Sequence, residues 1–188
     1  MKVILGSSSK WRCDVLEGLG FEVEVRKPDV DETAIRRDDP AELTKALAHA
    51  KCEKLLETIS EPAVLVTADT VVVVDGKVRE KPASPEEARS FLKSSSHQPV
   101  QVVTSVVVQN TQTGIRAEGT EITVVTFRPI DDKTIDALIE QGEVMYCCGA
   151  IRAEHPLMQP FVLQLDGTVE NMMGMPGELT KKLIERVR

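Results

Sequence analysis

Asp69 lies between two apolar runs, Ala63-Val64-Leu65-Val66 and Val71-Val72-Val73-Val74, with only Thr67, Ala68 and Thr70 for company. Aliphatic residues on both sides of a carboxylate read as a buried or half-buried strand. An ionised acid there is costly unless it is paired or binds a metal, and a chain that tolerates the cost usually uses the group. The bland alternative places Asp69 at a strand end, facing solvent. Asp75-Gly76 then signals a turn, and Lys77 to Pro82 reads as the returning strand. A two-residue loop puts Lys81 opposite Thr70, and a three-residue loop puts it opposite Asp69. An acid beside a lysine serves acid–base or phosphate chemistry, or forms a simple cross-strand ion pair.

A second group of residues suits phosphate. Lys2 to Leu5 reads as a short strand that runs through Gly6-Ser7-Ser8-Ser9 into a helix from about Lys10 to Gly18. Helix-start N–H groups and the helix dipole favour an anion, and Ser7 and Ser9 add hydroxyls. Arg12, one turn in, can reach back as a forked cation. Alone this is a weak signal, because serine-rich caps are common, and it is not a P-loop. Lys51 stands on a long helix, where taken alone it reads as an exposed lysine, and Glu32 taken alone reads as a loop acid.

The elements that must position these residues are legible as a pattern. Phe21 to Val25 alternates as a strand; Asp39-Pro40 starts a helix to about Thr58; Ser84-Pro85 starts another. Val100–Val108 and Glu121–Phe127 read as a strand pair, Asp131–Gln141 as a helix ended by Gly142, Phe161–Leu165 as a strand, and Pro176 as the opening of a C-terminal helix. Strand–helix alternation followed by hairpins predicts an α/β protein with a mixed sheet, residues 1–188 forming one domain.

Composition bounds the partners. A net charge of −7 argues against a nucleic-acid polymer, though not against a local nucleotide pocket. No apolar stretch reaches the ~18–20 residues of a membrane span, and Met1 to Leu5 is too short for a signal-peptide core. Cys13, Cys52, Cys147 and Cys148 lack metal-ligand spacing, so reduced thiols in a cytoplasmic setting are expected.

Taken in order, Leu5 to Arg12, Val30-Asp31-Glu32, Lys51, Ala68-Asp69-Thr70, Lys81-Pro82, Val103-Thr104, Thr123 to Phe127, Gly149 to Glu154 and Asn171 to Pro176 resemble the Maf family of nucleoside triphosphate pyrophosphatases. The resemblance covers nearly the whole chain; Lys10 and Glu80 depart from it, standing where the family often has Pro and Gly. It implies a twisted mixed sheet with flanking helices, two lobes around a deep cleft, similar to inosine triphosphatases. It implies Mg²⁺- or Mn²⁺-dependent cleavage of a nucleoside triphosphate to monophosphate and diphosphate, as house-cleaning of modified nucleotides. Carried over, Asp69 activates water and is a candidate metal ligand, Arg12, Lys51 and Lys81 hold phosphate, and Glu32 assists metal or water. A homodimer is common among similar proteins.

Three positions of that family divide a dTTP/UTP group from a 7-methyl-GTP group, and here they are Trp11, Thr70 and Glu154. Trp11 and Glu154 side with methylguanine, Thr70 with thymine/uracil. An indole face attracts the cationic 7-methylguanine, and a carboxylate accepts from guanine N–H groups. The structural alternative is that Trp11 packs on its helix and Glu154 is a surface acid. Two other functions stand beside the pyrophosphatase: a nucleotide-binding regulator of cell division without turnover, and a metal-dependent phosphomonoesterase.

Overall fold

The computed structural model describes residues 2–188. The elements in chain order are β1 (Val3–Gly6), α1 (Lys10–Gly18), β2 (Val23–Val25), α2 (Pro40–Leu56), β3 (Val64–Val74), β4 (Lys77–Arg79) and α3 (Pro85–Ser95), then β5 (Val100–Asn110), β6 (Arg116–Phe127), α4 (Asp132–Gln141), β7 (Val162–Asp166), α5 (Val169–Met172) and α6 (Gly177–Val187). The fold is mixed α/β, with a seven-stranded sheet ordered β2-β1-β3-β5-β6-β7 and β4 paired to β3. β1 runs parallel to β2 and β3, whereas β3–β4 and β6–β7 are antiparallel. No helix among the described residues is long and apolar enough to cross a membrane.

The helices begin where side-chain acceptors meet their orphan N–H groups. Ser9 caps α1 through Arg12 N, Asp39 caps α2 through Glu42 N with Pro40 next, and Ser84 caps α3 ahead of Pro85. Gly142 ends α4 in the left-handed conformation.

The chain folds as two compact units, one of residues 1–70, 104–121 and 173–188, the other of 71–103 and 122–172. In the first, side chains alternate across the strands as their period of two requires. Val3, Leu5, Val64, Val66, Ala68, Val106 and Val108 pack with Val15 and Leu16 of α1 and Leu183, Ile184 and Val187 of α6. Ile4, Leu65 and Val107 turn the other way, onto Ala48, Cys52 and Leu55 of α2. The second unit has its own core, in which Val72, Val74, Val100, Val102, Val125 and Phe127 meet Ala88, Leu92, Ile135, Leu138 and Met158.

One expected element is shorter than the sequence suggests. The β3–β4 turn is the two-residue form, Val74 pairing with Lys77, but the ladder stops at Val72–Arg79. Lys81 therefore has no cross-strand partner on β3; it follows in a bend and is exposed. Pro82, next to Lys81, has no N–H to donate to a longer ladder. The Glu80 carbonyl, which an antiparallel register turns away from β3, accepts from Gly149 N–H at 2.9 Å in the segment after α4. Gly149 sits at φ 62°, and a Cβ there would stand 2.8 Å from Val72 Cγ1. Only glycine combines that backbone with that approach. Gly149→Ala should lower unfolding stability by ~1–3 kcal/mol in urea titration; an unchanged midpoint would mean the segment is not held against β3.

Candidate active site

Asp69 occupies the middle of β3 and is only 6% exposed, so the strand reading holds and the solvent-facing alternative does not. By strand parity it shares a face with Leu65 and Thr67, the face that α2 covers. Thr67 Oγ1 donates to the Ala48 carbonyl of α2 at 2.8 Å, fixing strand against helix one residue pair upstream. Lys51 follows Ala48 by three residues and precedes Leu55 by four, which puts it on the buried stripe of α2. It is 6% exposed, not the surface lysine that its type suggests.

Its ammonium donates to Asp69 Oδ1 at 2.6 Å and pairs with Glu32 Oε1 at 3.0 Å. Glu32 begins a single turn of 3-10 helix, Glu32–Ala34, capped by Asp31 Oδ1, which accepts from Thr33 N at 3.0 Å. Two carboxylates thus share one cation, Asp69 from the interior and Glu32 from a side chain 54% exposed. Burial pushes the Asp69 carboxyl above its ordinary value, against the opposing pull of Lys51 and Arg12, while the Glu32 charge adds to the rise.

The helix-start group is assembled differently from a bare anion cradle. Ser7 Oγ accepts from Ser9 N at 3.1 Å and from Arg12 Nη1 at 3.4 Å, so part of the loop's donor capacity serves the loop itself. The N–H groups of Ser8 and Lys10 find no acceptor among the described residues. Arg12 is half-buried and spread over four acceptors: Nε to Gly174 O at 2.9 Å, Nη1 to Ala68 O at 2.8 Å and to Ser7 Oγ, and Nη2 to Thr70 Oγ1 at 3.0 Å. Thr70, on the opposite side of β3 from Asp69, also bonds Thr104 Oγ1 at 3.0 Å. Trp11 is half-buried beside Arg12 in the first turn of α1.

Lys81 and Glu154 belong to the second unit. There Arg152 Nε donates to Glu154 Oε1 at 2.9 Å, and Lys81, Arg152 and Glu154 all act electrostatically on Cys147, whose thiol burial pushes up to about 12. Glu154 lines a pocket of about 190 Å³ with Ala153, Gln159, Val162, Leu165, Val169 and Met172. It is a pocket acid, 18% exposed, rather than a surface one.

The structure therefore gathers Ser7, Ser9, Arg12, Glu32, Lys51, Asp69 and Thr70 in one unit and sets Lys81 and Glu154 in the other. Sequence reasoning missed the carbonyls of Ala68 and Gly174 as the anchors of Arg12. A backbone acceptor carries no side-chain signal, and Gly174 is 162 residues away, marked only by its glycine at φ 84°. It also missed Glu143 as a partner of Arg152.

As for chemistry, the first cluster offers a desolvated base, a fixed ammonium and a second, partly solvated carboxylate. Asp69 Oδ2 and Glu32 Oε2 remain for a hard divalent cation, which takes one or two carboxylates together with phosphate oxygens. No group of three or more acidic, histidine or cysteine side chains forms a metal cage among the described residues.

A family model for Maf-like proteins matches residues 2–187, and the chain belongs to that family. A 7-methyl-GTP pyrophosphatase of Dictyostelium discoideum is 43% identical to it, across 98% of this chain and 96% of that protein. A dTTP/UTP pyrophosphatase of Clostridium perfringens is 34% identical across 98% and 96%. Another from Alkaliphilus metalliredigens is 31% identical across 93% and 90%.

The Arg12 fork makes a test independent of activity. Arg12→Lys keeps the charge but reaches at most some of four divergent acceptors, so it should cost ~2 kcal/mol of stability by chemical denaturation. Wild-type stability in that variant would show that the fork does not hold β3 and the Gly174 segment to α1.

Proposed function

We propose that this protein is a nucleoside triphosphate pyrophosphatase, and that it acts on 7-methyl-GTP in preference to dTTP or UTP. The observation that carries the reading is the buried Asp69 carboxylate held by the Lys51 ammonium at 2.6 Å with Glu32 on the same cation. The names of its relatives, pyrophosphatases of 7-methyl-GTP and of dTTP/UTP, support the reaction class.

In this reading Asp69 takes a proton from water as the water oxygen attacks the α-phosphorus. The α–β phosphoanhydride bond breaks, and its electron pair leaves with diphosphate, giving a nucleoside monophosphate. A carboxylate with a raised pKa is the better base at neutral pH. Lys51 fixes the orientation of the Asp69 carboxylate through Oδ1. Ser7, Ser9 and the helix start of α1 receive phosphate oxygens, Arg12 contributes positive charge from a fixed position, and Lys81 is the further phosphate-holding cation of this reading. Asp69 and Glu32 would hold Mg²⁺ or Mn²⁺, which when bound supplies charge neutralisation on the phosphates.

The base preference rests on Glu154. Thr70, the position that leans toward thymine or uracil, has its hydroxyl committed to Arg12 and Thr104. Glu154 instead lines an open pocket, where a carboxylate favours the adjacent N–H donors of guanine over the lone ring N–H of uracil.

Asp69→Asn should lower kcat by about 10²–10⁴-fold with the fold intact, since the amide fills the space but takes no proton. Near wild-type turnover would remove Asp69 from the chemistry. A protein that only binds nucleotide would release no diphosphate from any triphosphate with Mn²⁺, and a phosphomonoesterase would release orthophosphate. The pH profile follows from the sign of the shift: the base must be ionised and its pKa is raised. Activity should therefore fall on acidification at a pH above the ~3.9 of an ordinary aspartate. A kcat/KM profile flat down to that value would contradict the role.

A further inference from the structure

Arg152 lies where the pocket's only carboxylate is held. Its Nε takes Glu154 Oε1 at 2.9 Å and its Nη1 is bonded to Glu143 Oε2, while its own side chain is only 12% exposed. Glu143, in the short turn Glu143–Tyr146 after α4, is 56% exposed. The three groups sum to one negative charge, so Arg152 orients Glu154 without cancelling it. With Oε1 taken, Glu154 keeps Oε2 for an occupant.

Gln159 completes the polar edge. It lines the pocket, and its Nε2 donates to the Glu154 backbone carbonyl at 3.3 Å, tying its side chain to the residue that carries the carboxylate. The remaining walls, Ala153, Val162, Leu165, Val169 and Met172, are apolar. At about 190 Å³ the space falls below the ~300–1,000 Å³ of sites that take a drug-sized ligand whole, and suits one flat heterocycle.

We infer that Arg152 is a positioning residue for base selection: shared between Glu143 and Glu154, it fixes one oxygen of the Glu154 carboxylate and leaves the other to the pocket, which therefore selects a base edge rich in N–H donors. Guanine and 7-methylguanine carry that edge, N1–H next to an amino group. Uracil and thymine set an acceptor on each side of their one N–H, and an acceptor would face the carboxylate. The inference rests on the proposed pyrophosphatase reading and extends it to a residue that touches no substrate.

The test is steady-state kinetics of the full chain with 7-methyl-GTP and UTP. Arg152→Gln should raise KM for 7-methyl-GTP about tenfold, the low end of one charge-assisted hydrogen bond, with kcat within about twofold. KM for UTP should stay within about twofold, and Arg152→Lys should restore part of the 7-methyl-GTP affinity. Equal losses on both substrates would mark a merely structural role and overturn the inference. If Arg152→Gln does not fold, Glu143→Gln decides: a rise of about two- to threefold in KM for 7-methyl-GTP alone supports the relay, and no change overturns it. If the wild type releases no diphosphate, the pyrophosphatase reading has failed. Calorimetry with 7-methyl-GMP and UMP then tests the pocket separately. Weaker binding of 7-methyl-GMP alone by Arg152→Gln supports the positioning role, and unchanged selectivity removes it.

Discussion

The first unit is organised around an ion pair that the hydrophobic effect does not favour. Lys51 and Asp69 are each 6% exposed, between a helix stripe and a strand face on which no other charged side chain is buried. Desolvating two charges costs several kcal/mol apiece, and their attraction only offsets this when the geometry is close and the remaining valences are met. The upward displacement of the Asp69 carboxyl shows that here burial outweighs the cations. An apolar pair of the same volume would fill the space at less cost, so the pair is better explained by what a poised carboxylate does than by what it contributes to folding. Glu32 fits that account. It adds a second negative charge from the solvent side, which raises the Asp69 carboxyl further.

Placing that pair is a matter of periodicities. Along β3 the residues alternate, so Thr67 and Asp69 address α2 while Ala68 and Thr70 fall to the side of α1, where Arg12 waits. A shift of one residue in register would send Asp69 to the arginine and Thr70 to the lysine, exchanging an acid–ammonium pair for an acid–guanidinium one. Gly6 guards the register at the neighbouring strand: a Cβ there would stand 2.6 Å from both Leu55 Cδ1 and Thr67 Cγ2. The closeness of β1, β3 and α2 at that point therefore depends on a missing side chain.

Much of this was legible because local signals and tertiary demands agree. Caps at Ser9, Asp39 and Ser84, the stop at Gly142 and the apolar run of β3 each carry their own physics, and the elements begin and end close to those marks. Lys51 was harder, because residue type argues for the surface while its spacing from Ala48 and Leu55 argues for the interior, and the spacing prevails. The surroundings of the β4 end were illegible: the Glu80 carbonyl there is bonded to Gly149, nearly seventy residues further on. The anchoring of Arg12 by the carbonyls of Ala68 and Gly174 was equally hidden, since any residue brings a carbonyl and only the fold brings it near.

Those hidden contacts bear on how a mixed specificity pattern should be read. Three side chains taken by position give two votes for methylguanine and one for a pyrimidine, but the votes are unequal once their partners are known. Thr70 spends its hydroxyl on Arg12 and Thr104, contacts that serve the same purpose whatever base is bound. Glu154 has one oxygen fixed and one available in a largely apolar pocket. Discrimination is a difference of affinities, and a buried acceptor left opposite another acceptor penalises the wrong base more than a good contact rewards the right one. In the proposed reading the position that counts is therefore the one whose valence the protein leaves open.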